Sequence, residues 1–119
     1  GITAPGREIQ VFEVDDTYAY KELQHLEALR VFANAKKAAR ATEQGATELG
    51  GATPVNVSGG ALGVGNALEA TGLYRVAELV WQLRGQAGPR QVKGAKVGLA
   101  QSWRGVPTTS GAVVILSAD

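Results

Sequence analysis

Ser58-Gly-Gly-Ala-Leu-Gly-Val-Gly-Asn66 runs directly into Ala67-Leu-Glu-Ala-Thr-Gly-Leu-Tyr-Arg-Val-Ala-Glu-Leu-Val-Trp-Gln-Leu-Arg84, and this junction decides the fold. The second part reads as a helix from Leu68 to Arg84. Leu73, Val76, Ala77, Val80 and Leu83 recur at three- and four-residue steps and mark one apolar face. Tyr74 and Trp81 widen that face, so the pattern predicts a helix buried on most sides. Gly85 and Gly88-Pro89 end it. The first part is dense in glycine, which admits positive φ and lets backbone approach other groups closely. A glycine-rich segment opening onto a long helix leaves free N–H groups that favour negative charge, so a ligand is expected at this helix N-terminus.

Working outward, Ile9 to Val14 is a short apolar run and reads as a buried strand. Asp15-Asp16-Thr17 stops it and supplies cap-type side chains. A helix is expected from Tyr18 to Ala33, with Leu23, Leu26, Leu29 and Ala33 on one face. Ala35 to Glu43 reads as a short exposed helix, with Lys36, Lys37 and Arg40 on a solvated face. Gly45 to Asn66 reads as irregular. Beyond the central helix, Ala95 to Ala100 and Ala112 to Leu116 are two apolar strands. The residues between them, Gln101 to Gly111, read as a loop containing Trp103, Arg104 and Pro107. The order of strand, helix, helix, glycine-rich segment, helix, strand, strand is an α/β pattern with helices covering a sheet.

Composition bounds the partners. The chain has 119 residues, with 12 Lys plus Arg against 11 Asp plus Glu and a net charge of +1. That balance argues against nucleic acid, whose phosphates demand a basic surplus. No apolar run reaches the length of a membrane span. The absence of cysteine removes disulfides, thiolate metal sites and a cysteine nucleophile from this chain. A single histidine excludes a multi-histidine metal site. Glycine, at 16 residues, is about twice its usual share. The chain opens on Gly1-Ile-Thr-Ala-Pro5, without methionine, and is expected to be a piece of something longer. No basic start leads into an apolar core, so the cytoplasm is the expected compartment.

Several stretches in order carry a resemblance. They are Glu13-Val-Asp-Asp-Thr-Tyr18 with Lys21-Glu-Leu-Gln-His-Leu-Glu-Ala-Leu29, Pro54-Val-Asn-Val-Ser-Gly-Gly60 and Gly65-Asn-Ala-Leu-Glu-Ala-Thr-Gly72. Glu78-Leu-Val-Trp-Gln-Leu-Arg-Gly85 and Gly94-Ala-Lys-Val-Gly-Leu-Ala100 follow. Together they resemble the C-terminal part of the thiolase superfamily, in the branch of the sterol carrier protein X thiolase domain and the bacterial lipid-transfer-protein thiolases. The resemblance implies that residues 1–119 are the C-terminal portion of a thiolase-like α/β/α layered domain, with roughly three strands and a buried helix under the sheet. It implies acyltransfer between coenzyme A thioesters in lipid or sterol metabolism. The nucleophilic cysteine would come from the N-terminal part of the same protein, and this chain alone would be inactive. A homodimer is expected. So are an exposed edge strand and apolar surface that the rest of the protein, or a dimer mate, covers.

The sequence departs from such enzymes where they do chemistry. Asn66 stands where the family has the histidine of a Gly-His-Pro turn, and it can donate a hydrogen bond but is no base. Asp15 replaces a second histidine. Gln101-Ser-Trp-Arg-Gly105 replaces a His-Asn-x-Gly-Gly loop. Similar losses occur in a thiolase-like subgroup that cleaves steroid side-chain CoA esters by retro-aldol chemistry. That subgroup uses tyrosines as acid and base and works with a small zinc-ribbon/OB-fold partner. Tyr18 and Tyr20 lie in the matching stretch. The candidate catalytic residues are therefore Asn66, Tyr18, Tyr20 and Asp15. Gly59, Gly60 and Gly65 permit close approach of a CoA ester, and Trp103 and Arg104 border a CoA or partner surface. No metal and no covalently bound cofactor is expected; the CoA thioester is substrate. Other readings stay open: Asn66 as a helix cap with Glu69 in a capping box, the tyrosines as packing residues, and the aspartates as strand-end caps. A non-catalytic module that binds acyl-CoA or lipid is the third functional class. His25 is expected on a solvated helix surface.

Overall fold

The computed structural model describes residues 1–104 and 110–118. The elements are α1 (Pro5–Glu8), β1 (Val11–Glu13), α2 (Ala19–Ala28), α3 (Ala35–Glu43), α4 (Gly60–Val64), α5 (Thr71–Leu83), β2 (Val97–Arg104) and β3 (Ser110–Ser117). The three strands form one sheet in the order β1-β2-β3. β1 runs parallel to β2, and β2 pairs antiparallel with β3 from Val97↔Ser117 to Arg104↔Ser110. Val55 adds a parallel bridge to Phe12 on the far side of β1.

Strand alternation sends successive side chains to opposite faces of the sheet, and here each face has its own core. Phe12, Val14 and Leu99 pack with Leu26 of α2, Val31 and Val55. Val11 and Ala100 pack with Leu79 of α5, Val92 and Ala95. Helices thus cover both faces, the α/β/α layering expected. Gly98 permits the close approach of α5: a Cβ there would lie 2.8 Å from a Leu79 methyl.

Element boundaries differ from the sequence reading at several places: the stretch Gly45 to Asn66, expected to be irregular, contains α4, and the first strand is the shorter Val11–Glu13. Helix α2 ends at Ala28, short of Ala33, because Arg30 turns left-handed at φ 54°. The expected loop Gln101 to Gly111 is strand at both ends. Gln101 to Arg104 continue β2, and β3 begins at Ser110; Gly105 to Thr109, with Pro107, lie outside the described residues. Polar residues hide the alternation there: Ser102 faces Arg75 of α5, while Trp103 faces His25 of α2. Finally, α5 begins at Thr71, after a 3-10 turn at Leu68–Ala70, so Leu68 is outside the α-helix.

The larger correction concerns α5. Its buried residues are Thr71, Arg75, Glu78, Leu79 and Gln82, one stripe that faces the sheet. Leu73, Tyr74 and Trp81 are exposed. Of the expected apolar face, Val76 and Leu83 reach the core only in part. The helix is buried on its polar side because that side forms ion pairs and hydrogen bonds with Asp15 and Asp16 just after β1, with Ser102 of β2 and with the chain beyond α5. Among the described residues no helix is long and apolar enough to cross a membrane.

Candidate functional site

β1 delivers an acidic stretch to the carboxyl end of the parallel strands. Asp16 caps a helix, but not the one that follows it. Its Oδ1 accepts from the Ala61 N–H at 2.7 Å and its Oδ2 from the Leu62 N–H at 3.3 Å, at the start of α4. Tyr18 occupies the N-cap of α2 with no side-chain cap. The Asp16 contact requires glycine at position 60. Gly60 has φ 59°, and a Cβ on it would fall 1.9 Å from Asp16 Oδ2. Asp15 closes its own turn, its Oδ1 accepting from the Thr17 N–H at 3.0 Å. Gln101 Oε1 accepts from the Asp15 N–H at 2.9 Å, which is how a β2 residue ends the parallel ladder.

Arg75 of α5 ties these pieces together. It pairs with Asp16 Oδ1 at 3.4 Å and with Asp15 Oδ2 at 3.7 Å, and donates to Ser102 Oγ at 3.2 Å. The arginine is 3% exposed, and its Nε has no hydrogen-bond partner among the described residues. Nearby, Glu78 holds Arg90 through both carboxylate oxygens and accepts from Gln82. Glu13 is fully buried on β1. Burial pushes its carboxyl up to about 7, against the two Ser58 hydrogen bonds that favour the charged form.

Asn66 stands in a short turn ahead of α5. Its Oδ1 accepts from the Leu68 N–H at 2.8 Å and from the Thr71 hydroxyl at 2.9 Å. This corrects the helix-cap reading in its detail, because the N-cap of α5 is Ala70 and Asn66 instead closes the turn before it. Glu69 forms no capping box; it pairs with Arg104 at 3.1 Å, both side chains well exposed. With its oxygen engaged, Asn66 has its Nδ2 donor to offer.

An open groove of about 1130 Å³ is lined by Asp15, Tyr18, Asn66, Trp103 and Arg104, with Lys21 beside them. Five of the nine sequence-predicted site residues therefore meet on one surface. Gly60 and Gly65 line a second groove, along α5, and Asn66 belongs to both. Gly59 sits at φ 100° just before α4 and lines neither. Tyr20 lines neither as well; it stacks on Tyr18 with ring centroids 6.0 Å apart. Lys21 Nζ lies 5.4 Å from the Trp103 ring centroid, a cation over an aromatic face. His25 corrects the sequence reading: it is buried, its ring 5.7 Å from that of Trp103. Burial lowers its pKa, with Asp15 pulling the other way.

Sequence reasoning missed Arg75, Ser102, Lys21 and Glu13. One signal was present for Arg75: Thr71, Arg75, Glu78 and Gln82 follow helical spacing among themselves, so their polar stripe was as periodic as the apolar one.

The sequence pattern of the thiolase C-terminal domain-like family matches residues 3–118. The chain belongs to that family. Among thiolase relatives, it is 42% identical over 106 residues to an acetyl-CoA acetyltransferase of Methanothermobacter thermautotrophicus, covering 89% of this chain and 27% of that one. It is 45% identical over 92 residues to sterol carrier protein 2 of Homo sapiens, covering 77% of this chain and 17% of that protein. A non-specific lipid-transfer protein-like 2 of Caenorhabditis elegans is 34% identical over 92 residues, 77% of this chain and 22% of the other. This thiolase C-terminal domain thus spans about a quarter or less of the relatives it matches.

Proposed function

We propose that this chain is the C-terminal portion of a thiolase-like acyl-CoA enzyme of the lipid-transfer type, and that the groove around Asn66 receives the thioester. The observation that carries this reading is the convergence of Asp15, Tyr18 and Asn66 on one groove. There, Asn66 Nδ2 acts as an oxyanion donor, placing a polar N–H where negative charge develops on the thioester oxygen. Lys21 and Arg104 line the same groove and supply positive charge for the CoA phosphates. The CoA ester is substrate, and no covalent cofactor takes part. The N-terminal part of the same protein supplies the remaining groups, covers the exposed side of α5, and is needed for turnover. A homodimer in the cytoplasm completes the reading.

A second chemistry is supported by one observation. Tyr18 lines the groove, while neither Asn66 nor an Asp15 paired with Arg75 replaces a histidine base. Retro-aldol cleavage of a β-hydroxyacyl-CoA needs a group to take the hydroxyl proton and a donor for the enolate. Tyr18 and Asn66 fill those roles, Tyr20 does not, and a zinc-ribbon/OB-fold protein is then the expected partner. A purely binding module would show neither activity.

The test uses the complete protein, assayed for thiolysis of acetoacetyl-CoA and for cleavage of a β-hydroxyacyl-CoA. Asn66→Ala should cost about 2.7–4 kcal/mol of transition-state stabilisation with binding little changed. Losing only the turn would lower stability by about 0.5–2 kcal/mol and spare kcat. A normal kcat with a lowered unfolding midpoint sinks the oxyanion role. Tyr18→Phe abolishing cleavage while sparing thiolysis selects the aldol reading.

A further inference from the structure

Glu13 ends β1 with its side chain fully buried. Both of its carboxylate oxygens serve Ser58. Oε1 accepts from the Ser58 N–H at 3.1 Å, and Oε2 accepts from the Ser58 hydroxyl at 2.5 Å. Ser58 Oγ accepts in turn from the Gly60 N–H at 3.2 Å. Asp16 takes the next two amides, of Ala61 and Leu62. Of the amides that open the glycine-rich segment, those of Ser58, Gly60, Ala61 and Leu62 are thus held by carboxylates at the end of β1, directly or through Ser58, while that of Gly59 bonds the Asn56 carbonyl. Asn66 lies at the other end of the same segment, just past α4 and Gly65.

We propose that Glu13 is a positioning residue for the site: through Ser58 it holds the segment that presents Asn66, and gain or loss of its proton resets that hold. The inference rests on the reading of Asn66 as the group that faces the thioester. A carboxylate accepts both Ser58 donors. A carboxylic acid must itself donate, so one oxygen stops accepting and the Ser58 hydroxyl turns away. Ser58 Oγ then accepts from Glu13 and Gly60 together, and the start of the segment shifts to fit.

The charged groups facing Glu13 are Glu78 and Arg75 from α5, with Arg90 acting from beyond that helix. Burial raises its pKa most, Glu78 raises it further, and the Ser58 bonds and Arg75 lower it, which leaves both protonation states populated near neutral pH. Glu13 is not among the residues that line the groove of Asp15, Tyr18 and Asn66. It acts through Ser58, and so positions rather than reacts.

The test follows the backbone amides of Ser58 and Gly60 and the Asn66 side-chain amide by NMR in the full-length protein, from about pH 5.5 to about pH 8.5. All three should titrate together with one midpoint near 7. Glu13→Gln should abolish the common step. Ser58→Ala keeps the carboxyl and the amide at position 58 but removes the hydroxyl relay and a bond favouring the charged form, so that amide should titrate with a raised midpoint while the Gly60 and Asn66 steps shrink or vanish. It decides the matter if Glu13→Gln fails to fold. The Kd for CoA should change severalfold across the step in the wild type and stay flat in Glu13→Gln. A step that persists in Glu13→Gln, Gly60 and Asn66 steps undiminished in Ser58→Ala, or an Asn66 amide that stays flat while Ser58 titrates in the wild type overturns the inference. If the resonances titrate as expected but CoA does not bind, the positioning role stands and the proposed function falls.

Discussion

Gly60 shows how one residue fixes the entrance to the site. Its φ of 59° already disfavours any side chain, and Asp16 occupies the space a Cβ needs. Gly60→Ala should therefore destabilise the domain by at least about 1–3 kcal/mol, read as a lowered urea midpoint. Gly63, which meets nothing within 4 Å and carries no positive φ, is the control and should tolerate alanine. Glu13 gives a pH prediction. Its folded pKa of about 7 lies above the ordinary 4.5, so the folded chain holds this proton more tightly than the unfolded chain. The stabilisation is fully present below about 4.5 and is lost as the pH rises through about 7. The difference is on the order of 3 kcal/mol. Glu22, raised by burial, works in the same direction, and His25, lowered by burial, works against it. The clean measurement is therefore the wild type minus Glu13→Gln. Urea midpoints near pH 5 and pH 8 should differ less in the variant, and equal slopes in the two proteins count against a raised Glu13.

Element α5 carries the same lesson at larger scale. The sequence made its C-terminal limit legible, but neither its first turn nor its orientation. Apolar periodicity was read as the buried face, yet Leu73 and Tyr74 are exposed while Arg75 and Glu78 lie under the helix. The rule fails here because the stripe against the sheet is polar apart from Leu79 and is held by ion pairs and hydrogen bonds, leaving Leu73, Tyr74 and Trp81 of the apolar stripe exposed. The strand pair was misread for a related reason: Gln101 to Arg104 lack branched or aliphatic residues, and pairing with β3 overrides that local signal. Of the site, the cluster of Asp15, Tyr18 and Asn66 was legible through family resemblance. The arginine that organises it was not, because its polar stripe is as periodic as the apolar one and periodicity alone does not say which stripe is buried. Neighbouring residues test the orientation. Arg75→Met leaves Asp15 and Asp16 buried without their cation and should cost about 3–5 kcal/mol. Tyr74→Ala, one residue away on the open face, should change the stability of the isolated chain by no more than about 0.5 kcal/mol. Equal losses would mean that α5 is turned the other way.

The whole molecule has more surface than its mass warrants. A compact monomer of 12.3 kDa should present about 6100 Å², whereas this chain presents 7192 Å². Elongation is not the cause. The radius of gyration is 13.1 Å, against about 13.5 Å expected for a chain of this length. The excess therefore lies in grooves and uncovered elements, and those elements are apolar. β3 pairs with β2 on one side only and exposes Val113, Val114 and Ile115. On α4 and α5, Leu62, Val64, Leu73, Tyr74 and Trp81 are also exposed. An open strand edge and a wide apolar face each drive association in water. The isolated chain should accordingly self-associate with rising concentration, measured by light scattering. Two variants separate the causes. Val114→Lys puts a charge on the open strand, and Tyr74→Glu puts one on the helix face; the face that matters is the one whose charge restores the monomer. A chain that stays monomeric across a wide concentration range, with neither variant altering it, would mean that the exposed strand and helix face are inert in water and need no partner layer.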